Sequence, residues 1–256
     1  GTGSPGDDNE PVDEIDGVVT EPLLPGPIGL DSFEIIKDPT FENTKADCIY
    51  EKLNQLSSGF KNAIKKFDGE FPVSHLKFSI DLNMPSNSIK GYAVPPQNYV
   101  IEIVLNGNAV MDGSYQKRPN LLVAKTIIHE VIHAEMWRKI LSIIDNGGNV
   151  EGLTRQQWED KLSNGDYPGI FDYYTRFGVN GFQHPQMAAH YRDVIADALE
   201  ELDNSSHSRQ FYEDLAWEGL IYREDPTWTS LTSSEKTRIK NVIDSLIQEK
   251  TNETCQ

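Results

Sequence analysis

The segment Thr126-Ile127-Ile128-His129-Glu130-Val131-Ile132-His133-Ala134-Glu135 of this 256-residue chain has side chains spaced for chemistry. Residues four apart on a helix share a face, so His129 and His133 can direct imidazole nitrogens at one ion. Glu130 lies about 100° round the helix from His129, near enough to reach a water on that ion without ligating it. Zinc takes neutral nitrogen ligands and, in catalytic sites, keeps one position open; a neighbouring carboxylate then accepts a proton from the water. The plain alternative is a packed histidine pair beside a good helix former. The flanks argue against it. Leu122, Ile127, Ile128, Val131, Ile132, Met136 and Ile140 surround the trio with apolar residues, and burying three polar groups there without a metal leaves them short of partners.

Several elements must hold that helix. Apolar residues recur every three or four positions over 48–67 (Ile49, Leu53, Leu56, Phe60, Ile64, Phe67), a helix period ended by Asp68-Gly69. From His75 to Leu82 the pattern alternates, with Leu76, Phe78, Ile80 and Leu82 on one face of a half-buried strand. Residues 83–91 are turn-rich, and Tyr99 to Leu105 forms a second strand. The long helix runs from Pro119-Asn120 to Asp145, with Asn146-Gly147-Gly148 as its stop. Further helices are expected at 154–163, 186–203, 208–221 and 232–250. The order of a helix, a few strands and then helices predicts an α+β fold with one continuous core.

Charge sets the first boundary. Residues 1–36 hold nine acids, five prolines and six glycines, with no Lys or Arg. Such a stretch repels itself and buries too little apolar area to offset its ordering entropy. It reads as a disordered acidic tether, followed by a single domain over 37–256. The remainder carries 31 acids against 23 bases, a net of -8, within an overall formal charge of -17. That balance argues against nucleic acid and anionic membrane surfaces, where Lys and Arg must neutralise phosphates. No apolar run reaches the roughly 18 residues of a membrane span. The chain opens on Gly1, which fits a trimmed leader, and a flexible tether suits an exported or surface-anchored protein. Cys48 and Cys255 are too few for a disulfide scaffold. They either pair in an oxidising compartment or stay as two free thiols.

On His129, Glu130 and His133, with strands ahead of the helix over about 75–145, the chain resembles a zincin metallopeptidase. The resemblance implies Zn2+, a catalytic water and Glu130 as general base. It also implies that the preceding strand, Tyr99 to Leu105, lines the cleft and pairs with an extended peptide or protein substrate. The fold it implies is a small mixed sheet packed on the active-site helix, followed by a mostly helical C-terminal half. Metzincins require Gly at 136 and His at 139, where this chain has Met136 and Lys139. That branch is excluded.

The third metal ligand must come from downstream, and the segment from Gly181 to Tyr191 holds two of the three histidines there. His184 precedes a stripe of Met187, Tyr191, Val194, Ala198 and Leu202. A histidine followed by a large apolar residue in this way resembles the SprT-like branch of zincins and related exported bacterial proteins. His190 and Glu151 are the alternatives, the latter because thermolysin-like zincins use a downstream Glu. Tyr173, Tyr174 and Tyr191 are candidates to stabilise an oxyanion, Asp193 and Asp197 to orient a ligand histidine. His75 and His207 read as surface or strand-edge residues, and the stretch from Leu215 to Leu220 as packing. The expected activity is zinc-dependent endopeptidase action at a bacterial cell envelope or surface, with a lipoprotein among the expected forms. The alternative is a non-catalytic zincin-like surface module with a structural or vestigial metal site.

Overall fold

A computed structural model describes residues 35–65, 74–145, 152–163, 183–221 and 226–255. Residues 1–34 of the expected tether lie outside the described residues, but Ile35 and Ile36 do not: they open strand β1 (Ile35–Lys37). The fold therefore begins two residues inside the predicted tether.

Four strands form one mixed sheet. β2 (His75–Asp81), β3 (Gly91–Gln97) and β4 (Val100–Asn106) join β1 in the order β1-β2-β4-β3. β1, β2 and β4 are parallel, and β3 runs antiparallel along β4 as the edge. Alternation along β2 and β4 puts Leu76, Phe78, Ile80, Ile101, Ile103 and Leu105 on one buried face. Leu82 does not join them: β2 ends at Asp81 and Leu82 is 60% exposed. The opposite face is polar, with Lys77 paired to Asp38 at 3.1 Å and to Glu102 at 3.0 Å.

Helices cover the apolar face. In α1 (Lys45–Leu56) the Thr44 hydroxyl accepts from the Asp47 N–H at 3.2 Å, and Ala46, Ile49, Tyr50 and Leu53 are buried at helical spacing. Tyr50 lies against Phe78 of β2, ring centroids 4.9 Å apart. The single helix expected over 48–67 is two, because Ser57 starts a new one. Its Oγ accepts from the Phe60 N–H at 3.2 Å, opening α2 (Ser58–Lys65). The remaining described helices are α3 (Asn120–Asp145), α4 (Arg155–Ser163), α5 (Gln183–Leu202), α6 (Arg209–Leu215), α7 (Pro226–Ser230) and α8 (Ser233–Glu249). α5 packs against α3, and α6 against α5 and α8. A Thr232–Glu235 capping box starts α8, whose Ile239, Ile243 and Leu246 enter the core. The architecture is the expected α+β, and among the described residues no helix is long and apolar enough to cross a membrane.

The C-terminal tail closes the fold on α3. Glu253 accepts the Asn120 N–H at 2.8 Å, Thr254 C=O accepts from the Asn120 amide at 3.1 Å, and Asn252 N–H donates to Lys117 C=O at 2.9 Å. An acid at the first N–H of a helix satisfies an orphan donor and favours the helix dipole. Cys255 then bonds Cys48 of α1 across 207 residues, so of the two states open from the sequence the paired one is formed. The chain-entropy ceiling for so long a loop is about 5 kcal/mol. Cys255→Ser should lower the Tm by roughly 10 °C, measured by calorimetry without reductant. A Tm unchanged from the parent would show that the bond contributes nothing.

Candidate active site on α3

α3 is aligned with the edge strand at two points. A Cβ on Gly91 would sit 3.1 Å from Thr126 Cγ2 and 3.0 Å from Leu105 Cδ2, so glycine is what lets the helix come this close to β3. Two residues further along β3, the Ala93 N–H donates to the Glu130 carboxylate. Asn106 N–H bonds Lys90 C=O on the inner side of the pair, so alternation turns the N–H groups of Gly91 and Ala93 away from β4. Glu130 takes one of these outward donors.

His129 and His133 occupy the same face of α3, and their Nε2 atoms are 3.1 Å apart with the rings at 72°. Tetrahedral zinc with Zn–N of about 2.0–2.1 Å sets two nitrogens roughly 3.3 Å apart, so the pair fits that ion. Burial pushes the pKa of both rings down, His129 well below its ordinary value with the His133 and Lys125 charges adding to the effect. Both are therefore neutral near pH 7, the form a metal binds. Glu130 is 8% exposed. Burial raises its carboxyl to about 7, against the opposing pull of Lys125 and the Ala93 N–H.

Among the described residues no third His, Cys, Asp or Glu joins the pair. His184 and His190 lie on α5, the helix packed against α3, but their side chains and that of Tyr191, together with all of Glu151, Tyr173 and Tyr174, fall outside the described residues. Asp193 and Asp197 are exposed, and Asp197 pairs with Arg209. His207 is the surface residue expected, stacked on Phe211 and bonded to Asp203 at 2.7 Å. His75 is not: it is 1% exposed at the start of β2. The strand assigned to the cleft also changes. Tyr99 lies in the turn after β3, and Val100 to Leu105 belong to β4, whose edges are taken by β2 and β3, so β3 is the strand beside Glu130. A cavity of about 1010 Å³ between α1, α8 and the end of α5 is lined by Ile49, His207, Phe211 and Val242, and none of the α3 trio reaches it.

A second polar cluster lies one turn earlier on α3. Lys125 and Arg118, 3% and 5% exposed, both pair with Glu218, Lys125 Nζ at 3.2 Å from one oxygen and the guanidinium on the other. Glu218 sits within the Leu215-to-Leu220 stretch, whose Leu215, Ala216 and Trp217 are packed as expected. The signal for it in the sequence is a lysine amid the aliphatics of α3, which requires a buried anion.

No protein-family model matches this chain, and no curated protein or solved structure matches it either.

The two cations hold the Glu218 carboxyl down at about 2, against an ordinary 4.5. A depressed acid stabilises the fold above its unfolded pKa, so this contribution is complete above pH 4.5. It is lost as the pH falls toward 2, and amounts to about 3 kcal/mol. Glu218→Gln should cost roughly 3–5 kcal/mol at pH 7 by stranding two buried cations. Urea melts at a series of pH values should show the gap between parent and variant narrowing from pH 4.5 to 2; a constant gap would contradict the pairing.

Proposed function

We propose that this chain is a zinc-dependent peptidase in which His129 and His133 hold the metal and Glu130 is the general base. The convergence of the two Nε2 atoms to 3.1 Å, on neutral rings, is the observation that carries the reading. It is supported by the likeness of the α3 motif to zincins and by a buried carboxylate in the adjacent position.

Bound zinc would act as a Lewis acid toward a water and a peptide carbonyl. Glu130 accepts the proton of the attacking water and returns it to the leaving amine. The Ala93 N–H fixes the orientation of the carboxylate. β3 offers the edge along which an extended peptide lies, as an added strand whose backbone hydrogen bonds set its register. Gly91 offers an outward N–H and C=O; Ala93, its N–H held by Glu130, offers its C=O, and Pro95 has no N–H to add. His184 is the third ligand in this reading, which is supported by its position in the first turn of α5, a helix that packs on α3. The Cys48–Cys255 bond suits an oxidising compartment. We therefore place the protein at a bacterial cell envelope, with the acidic N-terminal segment as tether.

Glu130→Gln should keep the metal but cut peptide hydrolysis by at least about 100-fold, because an amide cannot take the proton. Full activity in that variant would remove Glu130 from its role. His184→Ala should weaken zinc binding, followed by chelator competition, far more than His190→Ala or Glu151→Ala. Loss of metal in the Glu151 variant would replace His184 by a thermolysin-like arrangement.

A further inference from the structure

The open edge of β3 beside Glu130 carries one large exposed side chain. Tyr92 pairs with Val104, and Gly91 with Leu105. Asn106 N–H bonds Lys90 C=O, so alternation gives Tyr92 the next hydrogen-bonded pair with β4 and turns the Gly91 N–H and C=O outward. The face on which a Gly91 Cβ would meet Leu105 and Thr126 belongs to α3. Tyr92 points its ring to the opposite face, where it is 41% exposed. Beside it on that face lie the buried Val104 and the half-buried Val94. The carboxylate diagonally across, Glu102, is already held by Lys77 at 3.0 Å and by the Ser79 hydroxyl at 2.7 Å. An added side chain therefore meets a ring and two valines rather than a free charge. α4 also packs on β3, but it is anchored past the far end of the strand, where Arg155 lies over the Tyr99 ring and donates to Ser74 at 3.2 Å.

A peptide that adds to this edge bonds to Gly91. Its adjoining residue then faces Tyr92 in a non-hydrogen-bonded pair, the kind in which side chains come closest, with Cα atoms about 4.5 Å apart. The register says which residue that is. From Gly91 beside Thr126 to Ala93 beside Glu130, the strand advances about 6.6 Å and the helix about 6 Å, so α3 and β3 run in the same direction. A peptide antiparallel to β3 runs from the level of Ala93 toward Gly91. A metal between His129 and His133 is centred about 1.5 Å further along α3 than Glu130, level with Ala93 or just past it. The residues opposite Tyr92 and Gly91 then follow the scissile bond.

We propose that Tyr92 is a specificity-determining residue of the peptidase, selecting an aromatic or β-branched side chain at one of the first two substrate positions after the scissile bond. The assignment rests on the peptidase reading. A ring opposite an aromatic or β-branched side chain is a favourable cross-strand pair, and covering the exposed ring adds a hydrophobic gain. Tyr92 touches the substrate side chain, so it acts on the choice of peptide and leaves the chemistry to Glu130.

The test uses the full-length, zinc-loaded protein and capped Ala/Ser octapeptides carrying a single Phe, Val, Ala, Lys or Glu. Mass spectrometry of the digests gives the bond cut and the relative kcat/KM. The Phe and Val peptides should be cut about fivefold faster than the Ala peptide, with that residue at one fixed position, first or second after the cut. Tyr92→Ala should bring the ratio to about one, and Tyr92→Phe should keep it, which a loss of folding would not do. A preference for Lys or Glu, a preferred position before the cut, or a ratio unmoved by Tyr92→Ala would overturn the role. If the parent protein cuts none of the peptides, the peptidase reading falls, and titration calorimetry with the same peptides decides the Tyr92 contact by itself. Tighter binding of the Phe peptide than of the Ala peptide, lost in Tyr92→Ala, would keep Tyr92 as a peptide contact; equal binding of the two, or none, would overturn it.

Discussion

The approach of α3 to the edge of the sheet is the constraint on which the rest of the site depends. A helix carrying a buried carboxylate beside two half-buried imidazoles needs a donor within reach of that carboxylate, because little water gets to it. Gly91 lets the helix settle beside β3, and that proximity brings the Ala93 N–H to Glu130. With the carboxylate fixed, the two histidines four residues apart face a common point. A side chain at 91 would move the helix out and lengthen the Ala93 contact together with everything beyond it.

The N-terminal half of α3 is held by charge rather than by apolar contact alone. Arg118 and Lys125 meet Glu218, Lys45 donates to the Arg118 C=O, and the tail from Asn252 to Cys255 covers the first turn. Removing one partner from such a network costs more than the network gains over an apolar equivalent, so it specifies a position more than it adds stability. The position it specifies is that of the turn before His129. Stability at the tail and geometry at the histidines are linked through a single helix.

Much of this was readable in the sequence where period and chemistry agreed. The long helix ends where its apolar pattern and the Asn146-Gly147-Gly148 stop place it, and β4 follows its apolar run. Strand β3 was not legible. Gly91-Tyr-Ala-Val-Pro-Pro-Gln97 has two prolines, which mark turns in most contexts; here an edge strand with a register shift between Val94 and Gln97 tolerates them. With β3 unread, the strand nearest before the helix in sequence is the one over Tyr99 to Leu105, and the cleft falls to it. Ser57 hid the break between α1 and α2, since both flanking helices keep one apolar period. Glu218 is hidden by tryptophan and leucine neighbours, though the lysine it pairs with is in view among the aliphatics of α3. The pairing of Cys48 with Cys255 depends on where the tail docks, which no local pattern encodes.

The central claim is that His129 and His133 bind one metal ion through Nε2. Crystals grown with zinc and measured on both sides of the zinc absorption edge test it most directly. The account predicts an anomalous peak about 2.0–2.1 Å from both Nε2 atoms. Crystals with zinc bound elsewhere, or with no peak between rings that keep their present separation, would contradict it.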